Sequence, residues 1–217
     1  IAAGLMVVCL LIIIRILPDL PSNYQGSYAG LMKSLFSIVK KYPQLRIASF
    51  RAGFSFGSFL AMWSCLAFKM EQAPFFAGNN IIGLCGIAGA LTASSIGRFI
   101  NTVGVKRLTY IGCSLIISAW IVLYAGQYSY AGIIAGILLI DIGMQCIQLS
   151  NQTSAFALCP QASNRINTIF MTTYFIGGST GTFLAGTFWQ WFGWTGVVGT
   201  GILLTSCSLL INIFAKK

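Results

Sequence analysis

The sequence predicts an all-α membrane protein with seven transmembrane helices. Three observations carry this expectation. Hydrophobic residues make up 57% of the 217-residue chain and charged residues 7%, against about 25% charged in a soluble domain. Apolar runs of about 18 residues or more, the length that crosses a hydrocarbon core, recur along the chain. Most of the charges lie in the gaps between those runs.

The spans are expected at 1–17, 47–69, 75–96, 107–126, 130–158, 166–189 and 194–214. The first is barely long enough to cross and follows neither an initiator Met nor a basic stretch. It is expected to be part of a helix in a longer protein, not a signal peptide. The connector 18–46 holds "SYAGLMKSLFSIVKKY", in which Leu31, Leu35, Ile38 and Val39 group on one helical side and Lys33, Lys40 and Lys41 are free to reach phosphates. Such a segment is expected to lie in the membrane interface. Pro18, Pro21 and Pro43 bracket it and do not continue a helix.

Lysines and arginines set the orientation. Counted boundary by boundary from the end of span one, they alternate 6, 1, 3, 0, 1, 0, 2. Positive charge stays on the cytoplasmic side. The connector 18–46 and the C-terminus are therefore expected in the cytoplasm. The net charge of +10 reads as membrane topology and not as a nucleic-acid surface, because no basic stripe with interleaved aromatics is present. The tryptophans at the turn between spans six and seven, Trp189, Trp191 and Trp194, are expected at headgroup depth.

Small residues predict where helices touch. Span three carries Gly86, Ala90, Ser94 and Gly97, and span six carries Gly177, Gly181 and Ala185 with Gly178 and Gly186 beside them.

Span five carries the chemistry. Asp141, one of three acidic residues, shares a helical face with Gln145, Gln148 and Gln152. It lies about 11 residues, or ~16 Å, inside the outer end, close to the midplane. A charged carboxylate there costs about 2.5–3.5 kcal/mol on insertion scales. It must face protein or water. Asn151 and Ser154 widen the stripe. A continuous polar face reads as one wall of a hydrophilic path; interhelical hydrogen bonding, at about 0.6–2 kcal/mol a pair, is the alternative. Arg51 is the candidate basic partner of Asp141, or else it snorkels to the cytoplasmic surface. In span two, Phe56, Phe59 and Trp63 recur at i, i+3 and i+7, either facing lipid or walling the same cavity. Amides and aromatics together suit an amphipathic organic molecule. Thr172, Thr173 and Tyr174 in span six are weaker candidates of the same kind.

Catalysis has little to work with. The chain has no histidine, two of its acids lie in loops, and no nucleophile, base and orienter come together. Its seven cysteines form no C-x-x-C pair and read as small core residues. No cofactor or metal site is expected.

Three stretches give a family resemblance. "GRFINTVGVKR" (97–107) resembles the C-terminal echo of the G-x-L-x-D-R-x-G-R-[KR] loop of the major facilitator superfamily, with Gly97, Gly104, Lys106 and Arg107 fitting and Asn101 and Thr102 departing from it. "LRIASFRAGFSFGSFLAMW" and "CPQASNRINTIFMTTYFIGGSTGTFLAGTFWQWFGW" look like the seventh and eleventh helices of bacterial members. The chain is similar to the second half of such a transporter, of the drug:proton antiporter type. The resemblance implies that 1–17 is the truncated last helix of an N-terminal bundle, 18–46 the central cytoplasmic loop, and 47–217 a C-terminal six-helix bundle of two inverted three-helix repeats. It implies alternating access with substrate near the midplane, a path lined by Asp141, Gln145, Gln148, Gln152, Phe56, Phe59, Trp63 and Arg51, and a gating loop at Gly97, Gly104, Lys106 and Arg107. Its expected partners are the bilayer of a bacterial inner membrane, the N-terminal half of the same polypeptide, and a small-molecule substrate, with no nucleic acid. Efflux and proton antiport follow from kinship alone, since the antiporter signature G-x-x-x-G-P-x-x-G-G belongs to the other half. A facilitative uniporter of the same fold and a seven-helix receptor are the alternatives, though the receptor motifs D-R-Y and N-P-x-x-Y are absent.

Overall fold

The computed structural model describes residues 2–16, 27–76, 83 and 103–215. Among these the regular elements are all helical. The chain divides into two compact units, Ile1–Ser34 and Leu35–Lys217. The first holds α1 (Ala2–Ile16), an apolar helix ending beside Arg15, and the start of α2 (Tyr28–Lys41). In the second unit, the end of α2 contributes Ile38 to a buried cluster with Leu45, Ala48 and Phe170, while Lys40 and Lys41 stay outside it.

The second unit continues with α3 (Pro43–Met70), α4 (Val105–Ala125), α5 (Tyr130–Phe156), a short 3-10 turn at Pro160–Ala162, and α6 (Ser163–Phe214). Pro43 opens α3 at a position where its missing N–H has no helical partner to lose. Gly193 breaks α6 with φ 57° and ψ −142°, backbone angles that only glycine adopts without strain. The arms 163–192 and 194–214 lie where the sixth and seventh spans are expected. Likewise α3, α4 and α5 lie over the second, fourth and fifth. The third expected span, with Gly86, Ala90, Ser94 and Gly97, lies outside the described residues apart from Phe75, Phe76 and Gly83.

Val105–Ala125, Tyr130–Phe156 and Pro160–Phe214 are each long and apolar enough to cross a membrane. At 28 residues, α3 is also long enough, at about 42 Å, but it is more polar. The polarity is turned inward: Ser49, Arg51, Ser55, Ser58 and Lys69 are all buried.

Contacts along α3 fix the directions. Ascending α3 from Gly53 to Gly57, the neighbours in the first arm of α6 ascend from Thr173 to Gly181. Ascending from Arg51 to Ser58, the partners in the second arm descend from Asn212 to Thr205. The two arms are therefore antiparallel and form a hairpin at Gly193. By the same logic α5 runs against α4, since Thr109 meets Asn151 while Leu123 meets Gly136. The helix starts of α3, α4 and α6 and the end of α5 gather at one end of the bundle. Arg46, Lys106, Arg107 and Arg165 belong to that basic end, and Lys69 and Glu71 to the other.

Backbones approach most closely where α3 meets the first arm of α6. A Cβ on Gly57 would lie 2.6 Å from the Gly177 carbonyl oxygen, and one on Gly53 would lie 3.0 Å from that of Thr173. Gly181 would drive a Cβ into the backbone of Gly57. The small face expected of the sixth span is thus a helix contact. One expectation is corrected. Trp191 is exposed, but Trp194 is 5% exposed, donates its indole N–H to the Leu123 carbonyl at 3.2 Å, and packs beside Trp120 and Trp189. It closes the end of the core instead of anchoring at a headgroup layer, because the hairpin at Gly193 turns it inward.

Gly181→Leu should lower the thermal midpoint of the purified full-length protein in detergent, by a destabilisation of about 1–3 kcal/mol or more. Gly186→Leu lies on the same arm, where an added Cβ would meet no atom within 4 Å. It should leave the midpoint nearly unchanged in the same melting assay.

Candidate functional site

Two polar stripes with helical spacing run through the bundle, and the structure treats them differently. The first was not foreseen from sequence. Ser55 and Ser58 on α3 face Thr205, Ser208 and Asn212 on the second arm of α6. The Ser55 hydroxyl lies 2.9 Å from that of Ser208, which donates to the Arg51 carbonyl at 2.9 Å. Thr205 reaches Ser58 at 2.9 Å, and Trp120 of α4 donates its indole N–H to the same Ser58 hydroxyl at 2.8 Å. These hydroxyls are buried and hydrogen-bonded within the protein, so this stripe joins helices in the way small polar residues do away from water. Its sequence signal was the spacing 205, 208, 212 in an otherwise apolar run.

The second stripe is the one on α5. Asp141 is 8% exposed. Its carboxylate approaches the Trp63 indole on α3, yet the two do not complete a hydrogen bond: Asp141 Oδ2 and Trp63 Nε1 are both buried without a partner. Two turns further along, Gln148 accepts a hydrogen bond at 3.0 Å from the hydroxyl of Tyr174, on the first arm of α6. Gln145 and Gln152 are half-buried and make no hydrogen bond among the described residues.

Tyr174 links this stripe to the aromatic row. Its ring stacks on Phe56 with centroids 3.8 Å apart and planes 15° from parallel. Phe56 is followed by Phe59 at 6.0 Å and Phe59 by Trp63 at 6.3 Å. The stacking needs Gly178, where a Cβ would lie 2.7 Å from the Phe56 ring. Thus Phe56, Phe59 and Trp63 from α3, Tyr174 from α6, and Asp141 and Gln148 from α5 form one junction of three helices. Tyr174, a minor candidate from sequence, is its centre. Thr173 instead bonds back to the Ile169 carbonyl at 3.0 Å, and Thr172 is exposed.

Other residues are placed elsewhere. Asn151 turns away from the stripe and donates to Thr109 on α4 at 3.1 Å. Arg51 does not pair with Asp141. It stands 12 residues before Trp63, about 18 Å along α3, and donates through Nη1 to Asn212 Oδ1. Its side chain is 8% exposed and turns toward the basic end. Ser154 joins Arg51 and Lys106 in lining a cavity at the basic end. Of the loop residues, Gly97 lies outside the described residues. Gly104 precedes α4 with φ 80°, and Lys106 and Arg107 are exposed in its first turn. No group of His, Cys, Asp or Glu among the described residues is arranged to hold a metal ion.

The junction combines an ionisable group with unused hydrogen-bonding capacity and a stacked aromatic wall. Buried polar atoms left unpaired cost about 1–3 kcal/mol each, so a group that engages both Oδ2 and Nε1 would be held there.

No protein-family model matches this chain. The chain is 32% identical over 214 residues to the uncharacterized transporter YgaY of Escherichia coli O157:H7, an alignment that covers 97% of this chain and 54% of that protein. The counterpart in Escherichia coli strain K12, named a putative uncharacterized transporter, aligns to the same extent. A probable transporter of Streptomyces coelicolor is 26% identical over 174 residues, covering 78% of this chain and 40% of that protein. The chain spans about half the length of the curated relatives it matches. The apolar helices and this likeness mark an integral membrane protein.

Tyr174→Phe keeps the stacked ring and removes the bond to Gln148. It should leave the protein folded and lower its unfolding free energy by about 0.6–1.7 kcal/mol, read as a small fall in thermal midpoint with unchanged helical circular dichroism.

Proposed function

We propose that this chain is the C-terminal part of a secondary active transporter of the major facilitator type. In this reading it moves a small organic solute by alternating access, with proton-coupled efflux as the direction. The likeness to proteins named as transporters supports the general activity. The observation that carries the mechanism is the unpartnered Asp141 carboxylate facing the unpartnered Trp63 indole inside the bundle.

In this proposal 1–17 closes an N-terminal bundle, 18–46 is the central cytoplasmic loop, and 47–217 is the C-terminal bundle. The basic end faces the cytoplasm, as the excess of Arg and Lys there requires. The solute lies against Phe56, Phe59, Trp63 and Tyr174, which offer flat apolar area, while Gln145, Gln148 and Gln152 offer donors and acceptors toward the cytoplasm. Asp141 takes up and releases the proton. Protonated, it is neutral and tolerates a closed, dry junction. Deprotonated, it carries a charge that needs water or a cationic solute beside it. The two protonation states thus favour different conformations, and that difference is the coupling. The rocking motion is governed at the basic end by the loop that carries Gly97, Gly104, Lys106 and Arg107.

The test is transport by the full-length protein in proteoliposomes under an imposed pH gradient. Asp141→Asn should abolish gradient-driven accumulation and leave solute exchange at equal pH on both sides. If accumulation in the mutant keeps the wild-type dependence on pH, Asp141 has no part in coupling. A facilitative carrier would show no gradient-driven accumulation even as wild type.

A further inference from the structure

At the basic end, where α3 and α4 begin and α5 and α6 end, a cavity of about 280 Å³ is lined in part by Gln44, Arg51, Lys106 and Ser154. Arg51 is the unusual member. Its side chain is 8% exposed, although a guanidinium is always charged. Nη1 is engaged by Asn212, and Nε is buried with no partner. Asn212 is itself fixed, since its Nδ2 donates to the Lys106 carbonyl at 3.2 Å. Arg51 lines the cavity, and Nη2 is the guanidinium nitrogen neither bonded to Asn212 nor buried without a partner. Among the described residues no carboxylate pairs with Arg51. Asp141 is committed to the junction near Trp63, and Glu71 stands at the opposite end of α3.

A buried cation without an anion is costly, because the attraction that would offset its desolvation is missing. Here it is held in a fixed orientation by a neutral amide, beside a cavity with a second cation, Lys106, and with the polar side chains of Ser154 and Gln44. We propose that this cavity is a binding site for a phosphate group, with Arg51 and Lys106 as the charged ligands and Ser154 and Gln44 as hydrogen-bonding neighbours. A charged N–H of Nη2 suits an oxygen of a tetrahedral oxyanion, since hydrogen bonds between charged groups are about twice as strong as neutral ones. The apolar part of the lining, Ile47, Val105 and Ala215, suits a phosphate that arrives attached to something less polar. Two sources share this chemistry: the headgroup of an anionic phospholipid, and a soluble phosphate. The site is about a dozen residues along α3 from the Asp141 junction, and it stands whether or not Asp141 couples protons.

The experiment uses the full-length protein with two probes. Inorganic phosphate is titrated calorimetrically into protein in a neutral maltoside detergent. Separately, protein reconstituted in nanodiscs of phosphatidylcholine with phosphatidylglycerol is extracted, and retained phosphatidylglycerol is counted by native mass spectrometry. Binding of phosphatidylglycerol alone identifies a lipid site, binding of phosphate alone a soluble-ligand site, and binding of both a general phosphate site. In each case Arg51→Gln should weaken binding about tenfold or more, as expected for loss of a hydrogen bond to a charged group. Because Arg51 also bonds Asn212, that variant risks misfolding. Lys106→Gln alters an exposed side chain and should weaken binding severalfold in a folded protein. The proposal is overturned if neither probe binds the wild type, or if binding is the same in Lys106→Gln and in folded Arg51→Gln as in the wild type.

Discussion

The bundle depends on one dry contact, the approach of α3 to the first arm of α6 through glycine. Inside a bilayer there is no water to expel, so helices associate through close packing and hydrogen bonds. Gly53 and Gly57 on one side, and Gly177 and Gly181 on the other, bring the two backbones together without side chains between them. That separation lets Phe56 slide over Gly178 and stack on Tyr174. Tyr174 is then near enough to hold Gln148 of α5. A wider gap would leave the aromatic row and the amide stripe on separate surfaces. The junction is therefore a consequence of Cβ atoms missing from the neighbouring helical turns.

Hydrogen-bond satisfaction divides the polar residues into two groups. Both stripes show the same helical period, and both are set among apolar neighbours. Along the second arm of α6, Thr205, Ser208 and Asn212 find short hydroxyl, carbonyl and guanidinium partners on α3 and α4. Their side chains are small, so helices close on them. Along α5, the longer side chains of Asp141, Gln145 and Gln152 are not matched by a neighbouring donor or acceptor of suitable geometry. The helices close around them only in part. Unused hydrogen-bonding capacity inside a membrane is costly, which is why it marks the place to look for a passing proton or solute.

The charges follow a similar division. Exposed Lys106 and Arg107 sit at a bundle end where water is close. Arg51, about two turns into the helix that opens with Pro43, cannot reach that water freely and is oriented by Asn212. The gap of about 18 Å along α3 between Arg51 and Trp63, the neighbour of Asp141, separates the proposed phosphate site at the basic end from the proposed proton site at the junction with α5.

Sequence alone determined the helical membrane class, the segments now seen as α3, α4, α5 and the arms of α6, and the polar face of α5, because length, hydropathy and a period of 3.6 are local properties. It also identified the three residues of the aromatic row, since their spacing is local too. Only the tertiary structure decided which faces meet. Trp194 reads as an interface residue until the turn at Gly193 folds it onto Trp120. Arg51 reads as a partner of Asp141 until helix pairing places Asn212 beside it. Asn151 reads as part of the stripe, but a rotation of one position around α5 points it at Thr109. Partners that lie 42 to 161 residues apart along the chain leave no periodic trace, so the difference between a paired and an unpaired polar face emerged only when the helices were seen together.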